Sequence, residues 1–198
     1  MIDNNPARVS DMSYVPSHDE LEACKPIYRE AGRAVVARLL NFEVAWVSLD
    51  TAAVRRDPSA FAEGFASGHR NRMTNFDVYI SPIIKKKGVL SKDDKKTVTA
   101  YCSLVMTGPF CEWRANSDSH DHTSTAAAFQ KVNMILRLVE PNWAARSVLF
   151  DSAGNQLNKL ISENGQVILE VGKSLFERTT LTGEEIDDLI KSGLACAA

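Results

Sequence analysis

Tyr28-Arg29-Glu30-Ala31-Gly32-Arg33-Ala34-Val35-Val36-Ala37-Arg38-Leu39-Leu40 reads as an amphipathic helix. Ile27, Ala31, Ala34, Val35 and Leu39 recur at helical spacing and mark one apolar face. Pro26 stands just before the run, where a first helical turn tolerates a missing N–H, and Asn41 supplies a stop, so the spacing predicts a helix over about 24–40. Its apolar face is expected to pack on helices around Val105 and Leu136. The centre of the run is a charged frame, Arg29-Glu30-Ala31-Gly32-Arg33, with two arginines one turn apart.

Downstream, Phe42 to Asp50 alternates, with Phe42, Val44 and Trp46 opposite Glu43, Ala45 and Val47, which predicts a strand. Residues 51–75 contain Asp57-Pro58 and two glycines, with a short helix expected through Phe61 and Phe65. Phe76 to Ile84 reads as a second strand, closed by Pro82 and by Lys85-Lys86-Lys87-Gly88. From Ser91 the pattern turns helical. Ser91 can cap a helix whose first turn carries Asp93 and Asp94, favourable at the positive end of the dipole. That helix runs to Trp113 with an interruption expected at Gly108-Pro109. A polar loop over 116–123 follows, and Ser124 or Thr125 opens a helix with Ala128, Val132, Ile135, Leu136 and Val139 on one face, stopped by Pro141. One or two further helices, broken near Gly154 or Gly165, occupy 142–178. Thr182 and Glu185 form a capping box for a last helix over 183–191. The expected class is mostly α with a small N-terminal β element. A polar arm over 1–22, one domain over 23–192 and a tail over 193–198 make up the chain.

The frame at residues 29–33 has the spacing of a zinc-protease helix of the H-E-x-x-H type, in which two histidines one turn apart bind zinc beside a glutamate base. Here both histidine positions hold arginine. The run resembles the H-E-A-G-H helix of the FtsH family, the membrane-anchored, ATP-dependent zinc proteases: Tyr28, Glu30, Ala31, Gly32, Ala34 and Val35 match it. Phe42–Asp50 is similar to the strand that follows that helix. Leu104-Val105-Met106-Thr107-Gly108-Pro109-Phe110-Cys111-Glu112 is similar to the family's glycine-containing helix with its glutamate. The segment from Leu175 to Ile186 resembles its closing pattern. The resemblance covers about 24–190 and implies an FtsH peptidase-like helical fold, here without the family's membrane anchors and ATPase module.

It also implies a lost site. Glu30 occupies the position of the general base, Arg29 and Arg33 those of two zinc ligands, and Ala128 that of the third, with Asp118 and Asp121 as neighbouring alternatives. Arginine offers no lone pair, so no zinc and no other cofactor is expected. The resemblance thus implies a catalytically inactive pseudoprotease with a binding or regulatory role. A working metallohydrolase that gathers His69, His120, Asp121 and His122 around Glu30 is the alternative, and a purely structural interaction domain is another. Arg29, Glu30 and Arg33 read equally as solvated ion pairs or as a remodelled pocket.

The remaining features exclude more than they propose. The 198 residues carry a formal net charge of -2, with 44% hydrophobic and 24% charged residues. No global field draws the chain to nucleic acid or to a membrane. No apolar run approaches the roughly 18 residues of a spanning helix, and the N-terminus lacks a signal pattern. Cys24, Cys102, Cys111 and Cys196 show no C-x-x-C pairing and suit a reducing, cytoplasmic setting. Gly172-Lys173-Ser174 lacks the first glycine of a phosphate loop, and Lys85-Lys86-Lys87 reads as a solvated turn. A protein partner or a second copy of the chain is left open as the binding target.

Overall fold

Helix α1 spans His18–Leu39 in the computed structural model, which describes residues 18–49, 67–68, 76–86, 88–115 and 122–196. The helix therefore begins inside the expected polar arm, and Pro26 lies within it rather than at its first turn. Pro26 is exposed, and its missing N–H leaves one carbonyl of the preceding turn without its helical donor. The amphipathic reading is also corrected, because residues 30–37 are all buried, on every side of the helix. Its main neighbours are the helices Lys92–Ala115 and Gly165–Arg178; the helix that carries Leu136 packs on the first of these instead. Asn41, at φ 62°, ends the helix, with Phe42 N–H donating to the Ala37 carbonyl and Asn41 N–H to that of Arg38. Those two bonds form a Schellman cap.

The expected strand over residues 42–50 is reduced to β1 (Trp46–Ser48). Phe42 and Val44 are buried as expected, but residues 44 and 45 are held from elsewhere. Gly183 N–H donates to the Ala45 carbonyl at 2.8 Å, and a Cβ on Gly183 would lie 2.0 Å from the Val44 oxygen. Only glycine permits that approach. β1 is the middle of a three-stranded antiparallel sheet, between β2 (Ser67–Gly68) and β3 (Thr180–Thr182). Trp46 faces Gly68 and Thr182, and Val47 faces Ser67 and Leu181. The small β element thus joins the N-terminal third to the C-terminal end of the chain. The helix expected through Phe61 and Phe65 lies outside the described residues.

The second expected strand is helical. A π-helical turn, Phe76–Ile80, runs into α2 (Ser81–Lys85). Pro82 sits in the first turn of α2, where no N–H is needed, and Ile80 and Ile83 are buried together at helical spacing. Helix α3 (Lys92–Ala115) is capped as expected: Ser91 Oγ accepts from Asp94 N–H at 3.1 Å and donates to its carboxylate at 2.7 Å. It passes through Gly108-Pro109 without a break.

α4 (His122–Val139) starts two residues before Ser124 and buries Val132, Ile135, Leu136 and Val139. Asn142 caps α5 (Trp143–Glu163), accepting from Ala144 N–H at 2.9 Å and Ala145 N–H at 3.1 Å. Phe110, Phe129 and Phe150 stack edge to face across α3, α4 and α5. The break before α6 (Gly165–Arg178) falls at Asn164, while Gly154 lies within α5. Gly172 of α6 is buried against Ile27, Tyr28 and Ala31 of α1, so Gly172-Lys173-Ser174 belongs to a helix contact. The box of Thr182 and Glu185 closes as expected and opens α7 (Gly183–Cys196), which reaches beyond the expected end at 191 and into the expected tail. Arg38 of α1 holds Asp187 of α7 through two nitrogens. Among the described residues no helix is long and apolar enough to cross a membrane.

Candidate functional site

The Glu30 and Arg33 side chains lie in the fully buried section of α1, 4% and 3% exposed. They sit three residues apart, on one face of the helix. Arg33 Nη1 donates to Glu30 Oε1 at 2.7 Å. Glu30 Oε2 is buried with no hydrogen-bond partner among the described residues. The ion pair is therefore internal, which corrects the solvated reading. Burial pushes the Glu30 carboxyl above the ordinary carboxylate range, against the downward pull of Arg33 and Arg29. The same burial lowers Arg33 from its ordinary 12.5, with Glu30 opposing. A guanidinium nonetheless holds its proton, so the strain of this pair rests on the carboxylate.

Arg29 is partly exposed and turns to α3, where its Nη1 donates to Glu112 Oε1 at 2.8 Å; its Nε lies 3.9 Å from Glu30. Ser124 Oγ of α4 donates to the other Glu112 oxygen at 3.4 Å. Glu112 thus ties α1 to α4. The Gly108-Pro109 step serves the same place. A Cβ on Gly108 would lie 2.6 Å from Arg33 Nε, 2.7 Å from Nη2 and 2.8 Å from Cζ. The glycine is the seat of the buried guanidinium, and any larger residue would displace it. Pro109 has no N–H to return to the Val105 carbonyl one turn back; the helix continues, and both residues face the same void.

That void is a cavity of about 260 Å³ lined by Arg29, Arg33, Val105, Pro109, Ser124, Ala127, Ala128 and Lys131. Three helices build it. Ser124, Ala127, Ala128 and Lys131 share one face of α4 at helical spacing. Arg29, Arg33 and Ala128, assigned to zinc ligands by the resemblance, meet here although up to 99 residues apart in the chain. Among the described residues every ionisable side chain on the cavity wall is a cation. The sequence reading gave Ser124 only a helix start and Lys131 no role; the face of Ala128, three or four residues to either side, would have pointed to both.

His69, Asp118, His120 and Asp121 lie outside the described residues, and His122 is the first residue of α4. Among the described residues no three His, Cys, Asp or Glu side chains gather where they could hold a metal ion. Cys102 and Cys111 are buried thiols pushed up to about 12 by desolvation, hence unreactive as nucleophiles. Lys86 bonds Asp94 at 2.6 Å, and Lys87 lies outside the described residues. Compared with known proteins, the chain matches no family model and no curated protein.

Proposed function

We propose that this chain is a non-catalytic relative of the FtsH-type peptidase domain, in which the place of the zinc has become a cation-lined binding cavity. One observation carries the reading: Ala128 of α4 lines a single cavity with Arg29 and Arg33 of α1, about a hundred residues earlier in the chain. The pairing of β1 with β3 is consistent with it, since both resembled segments, one after the helix and one at the end, meet in one sheet.

The donor set does not fit zinc. Two guanidinium groups offer no lone pair and repel a dication, and alanine supplies no oxygen. Their fixed positive charge stands where the metal's charge would be needed. Glu30 takes the part of counter-ion in this arrangement. It is bonded to Arg33 and is not among the residues on the cavity wall, a poor placement for a base that must reach a water. Hydrolysis is therefore not the expected activity, and recognition of a ligand is.

Elemental analysis of protein purified without chelator tests this, with a casein cleavage assay beside it. Less than a tenth of a zinc per chain and no cleavage is the expected outcome, on the order of trace contamination. About one zinc per chain, lost together with stability on chelation, would overturn the reading.

A further inference from the structure

We infer that the cleft between α4 and α5 is a docking site for an acidic segment of a partner protein, with one apolar side chain of that segment in the cleft and flanking carboxylates on Arg137 and Arg146. The inference goes beyond the proposed function, and the cleft shares no wall residue with the cavity beside Arg33. Asn133 and Arg137, at i and i+4 of α4, line a cleft of about 290 Å³ together with Trp143, Arg146, Ser147 and Phe150, at i, i+3, i+4 and i+7 of α5. Its two cations are available. Arg146 Nη1 donates to the carbonyls of Glu140 at 3.1 Å and Pro141 at 2.8 Å, which holds the side chain at the α4–α5 turn without neutralising it. Among the described residues neither Arg137 nor Arg146 has a carboxylate partner, and no acid lines the cleft. Glu140, the acid of the turn, accepts from Asn142 N–H at 2.9 Å instead.

Apolar exposure points to the rest of the partner's chemistry. Met134, Leu138, Trp143 and Val148 fall on the same two helices and are all more than half exposed, Trp143 at 74%. Large apolar side chains left together in water mark an interaction surface, and tryptophan, methionine and arginine are enriched at such surfaces. Phe150, edge to face with Phe129 at 5.5 Å, gives the cleft an apolar, partly buried wall. The volume is just below the roughly 300–1,000 Å³ of small-molecule sites, so it suits one bulky side chain rather than a cofactor. A guanidinium presents five donors in a planar fork that matches a carboxylate, and two of them fix the sign of what lies beside that side chain. Nucleic acid is the less suitable anion. Two guanidinium groups are a narrow footprint on a chain of net charge -2, and methionine, leucine and valine offer bases no stacking face.

The test uses the full chain labelled with nitrogen-15. Its probes are an amphipathic peptide of glutamate, leucine and phenylalanine, the same peptide with lysine for every glutamate, the same peptide with serine for every apolar residue, and an oligothymidylate. Saturable shifts from the first peptide, centred on Arg137, Trp143 and Arg146, are expected, with a Kd of roughly 10 μM to 1 mM that rises with salt. The lysine and serine peptides should bind at least about tenfold more weakly. Arg137→Gln should weaken the first peptide about threefold to tenfold through loss of one charge partner, and Trp143→Ser should abolish its shifts. Both side chains are exposed, so both variants should fold; thermal melts establish this, and if one variant does not fold the other decides. No saturable shift by about 5 mM of the first peptide overturns the inference. So does binding unaltered in a folded variant, or a lysine peptide or oligothymidylate that binds as tightly. Sedimentation of the chain alone covers the remaining occupant: self-association dispersed by Trp143→Ser would give this face to a second copy and overturn the reading of a separate acidic partner.

Discussion

Replacing Arg33 by methionine removes the guanidinium from a pocket in which both partners are under 5% exposed and the shorter contact is 2.7 Å. Among the described residues Glu30 is then left with Arg29 Nε, at 3.9 Å, as its remaining cation contact, and with Oε2 already lacking a hydrogen-bond partner. Breaking a buried pair on one side costs about 3–5 kcal/mol, far above the roughly 0–1 kcal/mol of a solvated pair. The cost has a signature. Glu30 can escape by taking a proton, and its folded-state affinity for one is already raised by burial. A carboxyl whose folded pKa exceeds its unfolded value destabilises as pH rises from the unfolded value through the folded one. The Arg33→Met penalty should therefore be largest near pH 8 and shrink, by up to about 1.4 kcal/mol per pH unit, toward pH 5. Glu30→Gln strands a guanidinium that cannot shed its charge, so its penalty should stay nearly flat over the same range. The pair Glu30→Leu with Arg33→Met should return to within about 1–2 kcal/mol of the native chain, since apolar replacement of a buried pair is often neutral or stabilising. Urea denaturation of the four proteins at about pH 5 and pH 8 reads all of this. An Arg33→Met penalty below about 1 kcal/mol at the higher pH would refute the buried-pair reasoning.

Three further outcomes are expected. Gly108→Ala should destabilise by about 1–3 kcal/mol because its Cβ collides with Arg33, and by clearly less in the Arg33→Met background; equal costs in both would show that the glycine serves some other contact. Val35→Ala, at a fully buried position, should cost about 1–3 kcal/mol of urea stability, and an unchanged midpoint would place that face of α1 wrongly. Asp94 is held down at about 2, first by Lys86 and then by Ser91, so its contribution is complete above the ordinary 3.8 and is lost as pH falls toward 2. The melting gap between native protein and Asp94→Ala should close over that window, and a gap that persists below it would contradict the assignment.

What could be read from residues alone was what local chemistry decides. Asn41, Ser91 and the box of Thr182 and Glu185 end or begin helices through bonds within a few residues. The failures have tertiary causes. Residues 76–84 hold enough β-branched and aromatic side chains to imitate a strand, but Ile80 and Ile83 find burial at helical spacing and Pro82 suits a first turn. Gly108-Pro109 looks like a helix break by propensity, yet the helix runs through it, and the absent Cβ of Gly108 leaves room for Arg33. The apolar positions of α1 described one face; small residues at 31, 32, 34 and 37 let neighbours close over the rest and carry Glu30 and Arg33 inside. The cavity was legible only in part. The resemblance supplied Arg29, Arg33 and Ala128, whereas Ser124 and Lys131 join them through the packing of α4, which no local pattern near residue 30 encodes.

The central claim is that Arg29, Arg33 and Ala128 occupy three corners of a former metal site. Zinc titration of two variants tests it most directly. Arg29→His with Arg33→His rebuilds H-E-A-G-H and supplies two imidazoles one turn apart, which is one ligand short of a catalytic site. Adding Ala128→Asp supplies the missing oxygen and a compensating charge. The account predicts weak binding by the double variant and binding at least about tenfold tighter by the triple. Equal and negligible binding by both, in folded protein, would contradict it, and tight binding by the double variant would show that Ala128 is not the third corner.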